Sequence, residues 1–372
     1  MLNSSMFNTT RFAGFTRIVV PGLVFQSVIV GGGYGTGREI AEFFLWHGPV
    51  GGLFGMLVAC LVWGIVLSVA FEFARITRSY NYRTFFQQLL GRFWPLFEVI
   101  YLMIALLVLA VLGAGASEMV SSVFGISGHI GAMVLMLAIG ALVYLGGKAI
   151  EKSLALWSVL LYLVYAVFLI WIIIAYGDNI RSAFSGSHST GNWSWDGVRY
   201  AAYNLNAMAA VLFVLPGLSS RKEAVCSGFL AGVVGIIPGI FVFIAMLAQY
   251  PAIIDAPVPV SVLLQSLNAL WFMVVFQVIL FGTFIETGAG IIHAINERIG
   301  SAMNDRGRLF SPRQRLGVAI VILGVAVFLA GKFGIIKLIA QGYGWLSYGF
   351  IAVVVLPLLT YGMHRIIRYR TV

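Results

Sequence analysis

Residues 30–39 read Val30-Gly-Gly-Gly-Tyr-Gly-Thr-Gly-Arg-Glu39 and lie inside the first long apolar run of a 372-residue chain. Five of the residues are glycines, namely Gly31, Gly32, Gly33, Gly35 and Gly37. Each glycine costs roughly 1 kcal/mol relative to alanine in a helix interior. Close helix packing through small residues is one explanation, but it needs the glycines on a single face. Because these glycines run around the helix, we favour a helix break, whose freed peptide groups would line a cavity or hold a ligand.

The composition of the whole chain is that of a membrane protein. Hydrophobic residues make up 60% of it, charged residues 10%, and the mean hydropathy is +0.98. Soluble domains keep about a quarter of their residues charged, which excludes a water-soluble fold. Apolar runs of the roughly 20 residues that span a bilayer lie near 17–45, 50–75, 94–118, 128–147, 151–176, 195–217, 223–250, 270–298, 313–331 and 343–364. We therefore expect an all-α integral membrane protein of about ten transmembrane helices, with residues 1–372 forming one domain.

The charges indicate an orientation in the membrane. With the N-terminus in the cytoplasm, 18 of the 23 Lys and Arg residues fall in cytoplasmic segments, as the positive-inside rule requires. We expect a multi-pass protein of the bacterial inner membrane with both termini in the cytoplasm. The net charge of +10 does not indicate nucleic-acid binding, because the basic residues lie in short segments between apolar runs. The five histidines are dispersed without metal-ligand spacing, so we expect neither an enzyme nor a bound metal cofactor.

The sixth apolar run carries a second candidate interruption. Asn204 and Asn206 follow Tyr203 near its start. An amide there caps a half-helix or binds a solute, or alternatively makes an interhelical hydrogen bond. Interruptions in the first helix of each group of five are the pattern of inverted-repeat transporters. The sequence thus predicts two repeats of opposite orientation, residues 17–176 and 195–364, related by helix count and not by residue-level similarity.

Ionisable side chains at membrane depth mark two further positions. Glu39 lies nearest the first-helix break, where it is suited to an ammonium group or a cation. Arg38 and Glu42, four residues apart, either pair along one face or reach the outer headgroups.

On the eighth run one helical face carries Thr283, Glu286, Thr287, Gly290 and His293. Hydroxyls and a carboxylate there suit a hard cation or a transported proton, and a structural carboxylate paired with an arginine is the alternative.

Residues 31–44, GGGYGTGREIAEFF, resemble the first-helix signature of the YkvI-type membrane proteins. That family belongs to the amino acid–polyamine–organocation superfamily, and the ten helices and the Gly342-Tyr343-Gly344 region fit it as well. The resemblance implies a LeuT-type fold, a five-plus-five inverted repeat in which helices one and six are discontinuous. It also implies that substrate lies between the breaks of those two helices.

Carried over to this chain, the resemblance implies two adjoining sites. The substrate site would comprise Gly31, Gly32, Gly33, Tyr34, Gly35, Thr36, Gly37, Glu39, Tyr203, Asn204 and Asn206. A sodium ion would lie between carbonyls of the first helix and hydroxyls of the eighth, with Val30, Thr283, Glu286 and Thr287 as the coupling-ion site. Glu286 departs from the family pattern, so the coupling ion is either Na⁺ at a more acidic site or H⁺.

These features together predict a secondary active transporter. We expect it to move a small amino acid-like or amine-bearing solute by alternating access, coupled to Na⁺ or H⁺ and using no other cofactor. Its partners would be the solute and membrane lipids, and the sequence does not indicate an oligomeric state. The alternatives are a channel or facilitator for a small solute or ion, and a ligand-sensing membrane receptor.

Overall fold

The protein is helical throughout the part that the computed structural model describes, residues 4–145, 147–185, 191–304 and 307–369. Its helices are α1 (Ser4–Ile29), α2 (Gly32–Gly35), α3 (Arg38–Phe43), α4 (Gly48–Thr77), α5 (Tyr82–Leu90), α6 (Pro95–Phe124), α7 (Gly128–Leu145), α8 (Gly147–Ala175), α9 (Gly177–Phe184), α10 (Trp193–Asn204), α11 (Met208–Val211), α12 (Arg221–Met246), α13 (Pro259–Ser266), α14 (Leu270–Asn304), α15 (Pro312–Lys337), α16 (Gly344–Phe350) and α17 (Met363–Tyr369). Within these ranges no residue forms a β-strand.

The long helices account for the apolar runs of the sequence. Seven helices in the described residues are long and apolar enough to cross a membrane. An eighth candidate span is the pair Leu160–Ala175 and Gly177–Phe184, bent by 74°. The shorter Thr16–Ile29 segment matches the first predicted run. Pro312–Tyr369 is continuous over 58 residues, kinks at Gly334 and contains the last two predicted runs. The expected all-α membrane fold is confirmed.

The glycine-rich stretch interrupts the first helix, as the sequence predicts. Helix α1 ends at Ile29, and α3 begins at Arg38 after the single turn of α2. Gly37 has a φ of 78°, in the left-handed region that a side chain disfavours. The glycine-rich stretch therefore forms the short helix α2 and a turn at Gly37 instead of one continuous helix.

The sixth span is interrupted less than we expected. Between α10 and α11, residues Leu205–Ala207 form a 3₁₀ turn, and the flanking backbone stays in the right-handed helical region. The prediction of a break at Tyr203 to Asn206 was too strong. No Gly or Pro occurs at these positions, so nothing in the local sequence favours leaving helical geometry.

Helices α4 and α12 form the closest helix pair near the break. In α12, Gly228 and Gly232 lie one turn apart and face Ser68 and Gly64 of α4. A Cβ atom at Gly232 would lie 2.5 Å from the Gly64 backbone nitrogen. Small residues on both helices thus permit backbone contact, the usual basis of tight packing in lipid.

Replacing Gly232 by alanine tests this contact. The added methyl group meets backbone atoms that cannot rotate away, so we expect the free energy of unfolding to fall by about 1–3 kcal/mol. Gly324→Ala is the matched control, because a Cβ there meets nothing within 4 Å. Unfolding in mixed micelles measures both variants, and equal stability for the two would contradict the assignment.

Candidate functional site

A cavity of about 570 Å³, the central cavity, adjoins the break in the first helix. Its wall includes most of the polar residues that the sequence singled out near the two interruptions. From the predicted substrate site, the structure places on this wall Gly31, Gly33, Glu39, Tyr203, Asn204 and Asn206. Their role in binding stays a prediction, but the fold brings them to one space from two distant parts of the chain.

The predicted coupling-ion residues lie on the same wall. Val30 of the break and Thr283, Glu286 and Thr287 of α14 all line the cavity. Thr283 Oγ1 donates a 3.0 Å hydrogen bond to the Ile279 carbonyl, which leaves its oxygen lone pairs for a ligand. The Thr287 methyl group lies 3.8 Å from the position of a Cβ built on Gly31. The break in the first helix and α14 therefore meet where the resemblance implies an ion.

Four residues of the predicted substrate site do not line the cavity. The Tyr34 hydroxyl lies against Gly239 of α12, and Gly35 packs on Leu280. Thr36 and Gly37 are buried in the turn that links α2 to α3. Tyr34, Gly35, Thr36 and Gly37 therefore lie behind the cavity wall, and their predicted contact with a solute stays a prediction. The surroundings of Gly32 lie outside the described residues.

Protein groups already bind several carbonyl oxygens of the break. Thr36 Oγ1 donates a 2.8 Å hydrogen bond to the Gly33 carbonyl. The Tyr165 hydroxyl donates to the Gly35 carbonyl, and the Val260 amide donates to the Thr36 carbonyl at 3.1 Å. The expectation that a bound solute must satisfy the freed peptide groups is therefore wrong for these three carbonyls. The side chains on the cavity wall carry more of the site than we expected.

Tyr165 on α8 fixes the short helix α2. We expect Tyr165→Phe to lower the free energy of unfolding by about 1–3 kcal/mol, because it leaves the buried Gly35 carbonyl without its donor. Tyr144→Phe, at an exposed site on α7, is the control for loss of a hydroxyl. Equal unfolding midpoints for the two variants would show that the Gly35 carbonyl does not depend on Tyr165.

Glu39 is the most distinctive group of the cavity wall. Its side chain is 5% exposed, and Tyr203 donates a 2.7 Å hydrogen bond to its Oε2. Tyr203 stacks on Tyr343, with ring centroids 4.7 Å apart, and Tyr343 also lines the cavity. A carboxylate at this depth needs a compensating proton or cation, because burial of an unpaired charge is costly.

The cavity as a whole has an acidic lining. Glu39 and Glu286 both contribute to its wall, and both are buried. Among the described residues, no Lys, Arg or His lines it. Tyrosines, asparagines, threonines and aliphatic side chains complete the wall. Such a lining attracts a cation or a neutral polar group and repels an anion.

On the α3 side, a network of hydrogen bonds closes off the break. The Arg38 guanidinium donates to Glu42 at 2.7 Å and to the carbonyls of Ile254 and Ala256 at 2.5 and 3.1 Å. Arg38 is 2% exposed, so it is buried and not extended to headgroups. The predicted pairing of Arg38 with Glu42 is confirmed, and the carbonyl contacts connect α3 to the segment before α13.

On the opposite side the cavity adjoins a larger one of about 1040 Å³. Tyr101, Ala210 and Ala294 line both cavities and form the wall between them. The larger cavity extends towards α5, the start of α6 and the end of α14. The candidate site therefore adjoins a second, larger cavity, and the hydrogen-bonded network of Arg38 lies next to the break at α3.

Of the four tyrosines on the cavity wall, the sequence predicted a binding role only for Tyr203. Tyr101, Tyr162 and Tyr343 all line it, on α6, on α8 and just before α16. For Tyr343 the Gly342-Tyr343-Gly344 stretch was a signal, since the flanking glycines set the tyrosine apart from its apolar surroundings. Tyr101 and Tyr162 lie in runs that look like ordinary apolar spans.

Comparison with known proteins supports the membrane assignment and the fold. The chain is 23% identical over 340 residues to the uncharacterized membrane protein YkvI of Bacillus subtilis (strain 168), covering 88% of this chain and 92% of that protein. A Na⁺-coupled sialic acid symporter in a substrate-bound outward-open state superposes with a TM-score of 0.50 at 14% identity, covering 94% of this chain and 86% of the symporter. A manganese transporter from Eremococcus coleocola gives 0.49 at 16% identity, over 96% of this chain and 80% of that one. No family model matches the chain.

Proposed function

We propose that this protein is a secondary active transporter of a small amine-bearing or amino acid-like solute, and not an enzyme. The observation that carries the proposal is the buried, acidic cavity at the broken first helix. An ammonium group there would contact the Glu39 carboxylate, which also accepts a hydrogen bond from the Tyr203 hydroxyl. The similarity to YkvI supports a membrane protein of this type, and the fold shared with the sialic acid symporter supports a transporter.

The two sides of the central cavity differ, and this difference favours alternating access over a channel. Arg38 and its carbonyl partners lie on one side, and the larger cavity adjoins the other. A channel would need an open route on both sides at once. In a carrier, the contacts of Arg38 would break in the alternate state while the wall at Tyr101 closes. We further propose that residues 17–176 and 195–364 are the two inverted repeats that exchange these states.

The second carboxylate of the cavity wall supports coupling to a cation. Glu286 lies with Thr283 and Thr287 on the face of α14 that meets the break near Val30. These oxygens suit Na⁺, and the carboxylate alone suits H⁺. We propose that the ion binds beside Glu286, Thr283 and Thr287 and thereby stabilises the state that accepts solute. The termini would be cytoplasmic, in the inner membrane of a bacterium.

Uptake into liposomes under an imposed Na⁺ or pH gradient tests the proposal. A solute is first chosen from a thermal-shift screen of amines and amino acids. Saturable uptake above the equilibrium level supports a coupled carrier, whereas uptake that only equilibrates indicates a facilitator. Binding without uptake would indicate a receptor.

Glu286→Gln is expected to abolish the dependence of uptake on the ion gradient and to leave downhill exchange. The amide keeps the shape of the side chain but can neither take up a proton nor neutralise a cation. Glu297→Gln is the matched control on the same helix, because Glu297 pairs with Arg315 and does not line the central cavity. If Glu286→Gln keeps the wild-type ion dependence, the coupling assignment is wrong.

A further inference from the structure

Three hydroxyl groups on the wall of the central cavity donate their protons to the protein itself. Ser27 Oγ and Thr283 Oγ1 each donate to a carbonyl of their own helix, at 2.9 and 3.0 Å. The third is the Tyr203 hydroxyl, which donates to Glu39 Oε2. Because a hydroxyl has a single proton, these three groups present only acceptor lone pairs to a ligand.

The two asparagine amides on the wall are oriented in a similar way. Asn204 Nδ2 donates to the Tyr200 carbonyl at 3.0 Å, and Asn206 Nδ2 donates to the Tyr203 carbonyl at 2.7 Å. These acceptors determine which end of each amide is the nitrogen. In the described part of the chain no donor reaches either amide oxygen, so both oxygens keep their lone pairs for a ligand.

The charges on the wall also disfavour an anionic group. Glu39 and Glu286 line the cavity, and within the described ranges no lysine, arginine or histidine joins them. Arg38 donates to Glu42 and to two carbonyls, and Arg298, on the larger cavity, pairs with a glutamate at 3.0 Å. The single turn of α2 has too few aligned peptide dipoles to replace a cation. A ligand carboxylate would thus be buried among acceptors without a cation of the protein beside it.

Much of the remaining wall is apolar. It includes Val28 of α1, Ile104 and Val108 of α6, Leu161 of α8 and Ile291 of α14. Ile104 and Val108 are four residues apart and therefore lie on one face of α6. These side chains gain from contact with a hydrocarbon group and offer no hydrogen bond to a polar one.

We infer that the transported solute is a primary amine with an apolar body and no carboxylate. Its ammonium group binds at Glu39, on a wall of acceptor oxygens, and its hydrocarbon part contacts the apolar side chains. An ammonium group carries three donors and no acceptor, which matches the hydrogen bonds that this wall leaves open. The inference rests on the proposed function and narrows it, because it selects amines over amino acids.

Three ligands that differ in one substituent test the missing carboxylate. Phenethylamine, phenylalaninol and phenylalanine share a ring and an ammonium group, and the carbon beside the nitrogen carries a hydrogen, a neutral hydroxymethyl group or a carboxylate. Calorimetric titration of the full-length protein, with Na⁺ and without, should show phenethylamine and phenylalaninol binding roughly tenfold or more tightly than phenylalanine. Phenylalaninol controls for the size of the substituent, and the titrations with Na⁺ give each ligand the chance to pair with a bound cation.

A second matched pair, leucine and isoamylamine, separates failure of this inference from failure of the proposed function. In each pair the amine should bind more tightly than its amino acid. Amino acids that bind as tightly as their amines would overturn the inference and leave an amino acid carrier in place. If no amine and no amino acid binds, the inference and the proposed function are both wrong.

Val108→Thr tests the apolar part of the wall. Threonine nearly keeps the shape of valine but adds a hydroxyl, so the affinity for phenethylamine should fall several-fold. The affinity for methylamine, which has almost no body to contact the wall, should stay unchanged. Val99→Thr is the matched control on α6, because Val99 is 55% exposed and does not line the cavity. Unchanged phenethylamine affinity in Val108→Thr, or an equal loss in both variants, would overturn the apolar body.

Discussion

Glu39→Gln is expected to weaken binding of an amine-bearing solute by roughly 10- to 100-fold, because a charge-assisted hydrogen bond becomes a neutral one. The substitution removes the negative charge that faces the cavity but retains an acceptor for the Tyr203 hydroxyl. The fold around it should therefore survive, and the thermal unfolding midpoint should stay within a few degrees. Binding of the solute from the thermal-shift screen, measured calorimetrically, gives the affinity.

Glu42→Gln provides the control for Glu39. Glu42 lies on the same short helix α3, pairs with Arg38 at 2.7 Å and does not line the cavity. Its loss should change affinity by less than about threefold, in the range of a partly exposed ion pair. Wild-type affinity in Glu39→Gln, or an equal loss in both variants, would show that Glu39 does not contact the amine.

Sequence patterns identified the membrane fold and the position of the break, because both depend on local chemistry. Apolar runs of about 20 residues have few structures available to them in lipid, so the all-helical membrane fold could be predicted directly, although the ten expected spans exceed the seven or eight candidates in the described residues. The glycines of residues 31–37 indicated the break because glycine disfavours a helix interior, a property of the residue itself. The face of α14 with Thr283, Glu286 and Thr287 followed from helical periodicity, and the structure places those three side chains on the cavity wall.

The contacts between distant segments could not be read from the sequence. Nothing near Tyr165 indicates that its hydroxyl binds a carbonyl 130 residues away, at Gly35. Nothing near Arg38 indicates the carbonyls of Ile254 and Ala256 as partners. These pairs depend on how α8 and the segment before α13 pack against the break. For the same reason, we expected more free peptide groups for a solute than the structure leaves, and we did not predict Tyr101, Tyr162 and Tyr343 on the cavity wall.

Gly33→Ala is expected to disrupt the site more than any other glycine substitution in the break. A Cβ at Gly33 would overlap Glu39 Oε1 and lie 2.7 Å from its carboxyl carbon and 2.9 Å from its Cγ. The carboxylate would have to leave its hydrogen bond with Tyr203, or α2 and α3 would have to separate. We expect solute affinity to fall at least tenfold and stability to fall by about 1–3 kcal/mol, the range for overpacking of a buried position.

Gly31→Ala and the double variant Gly33→Ala/Glu39→Ala separate steric from backbone effects. A Cβ at Gly31 meets only the Thr287 methyl group, at 3.8 Å, so affinity and stability should stay near those of the wild type. In the double variant the overlap with Glu39 is gone, so stability should recover while solute binding stays lost. If Gly31→Ala is as damaging as Gly33→Ala, the glycines serve backbone conformation alone. A double variant that remains unstable would likewise exclude the carboxylate as the group that Gly33 accommodates. Recovery of stability without binding would show that Gly33 is small because Glu39 occupies the space beside it.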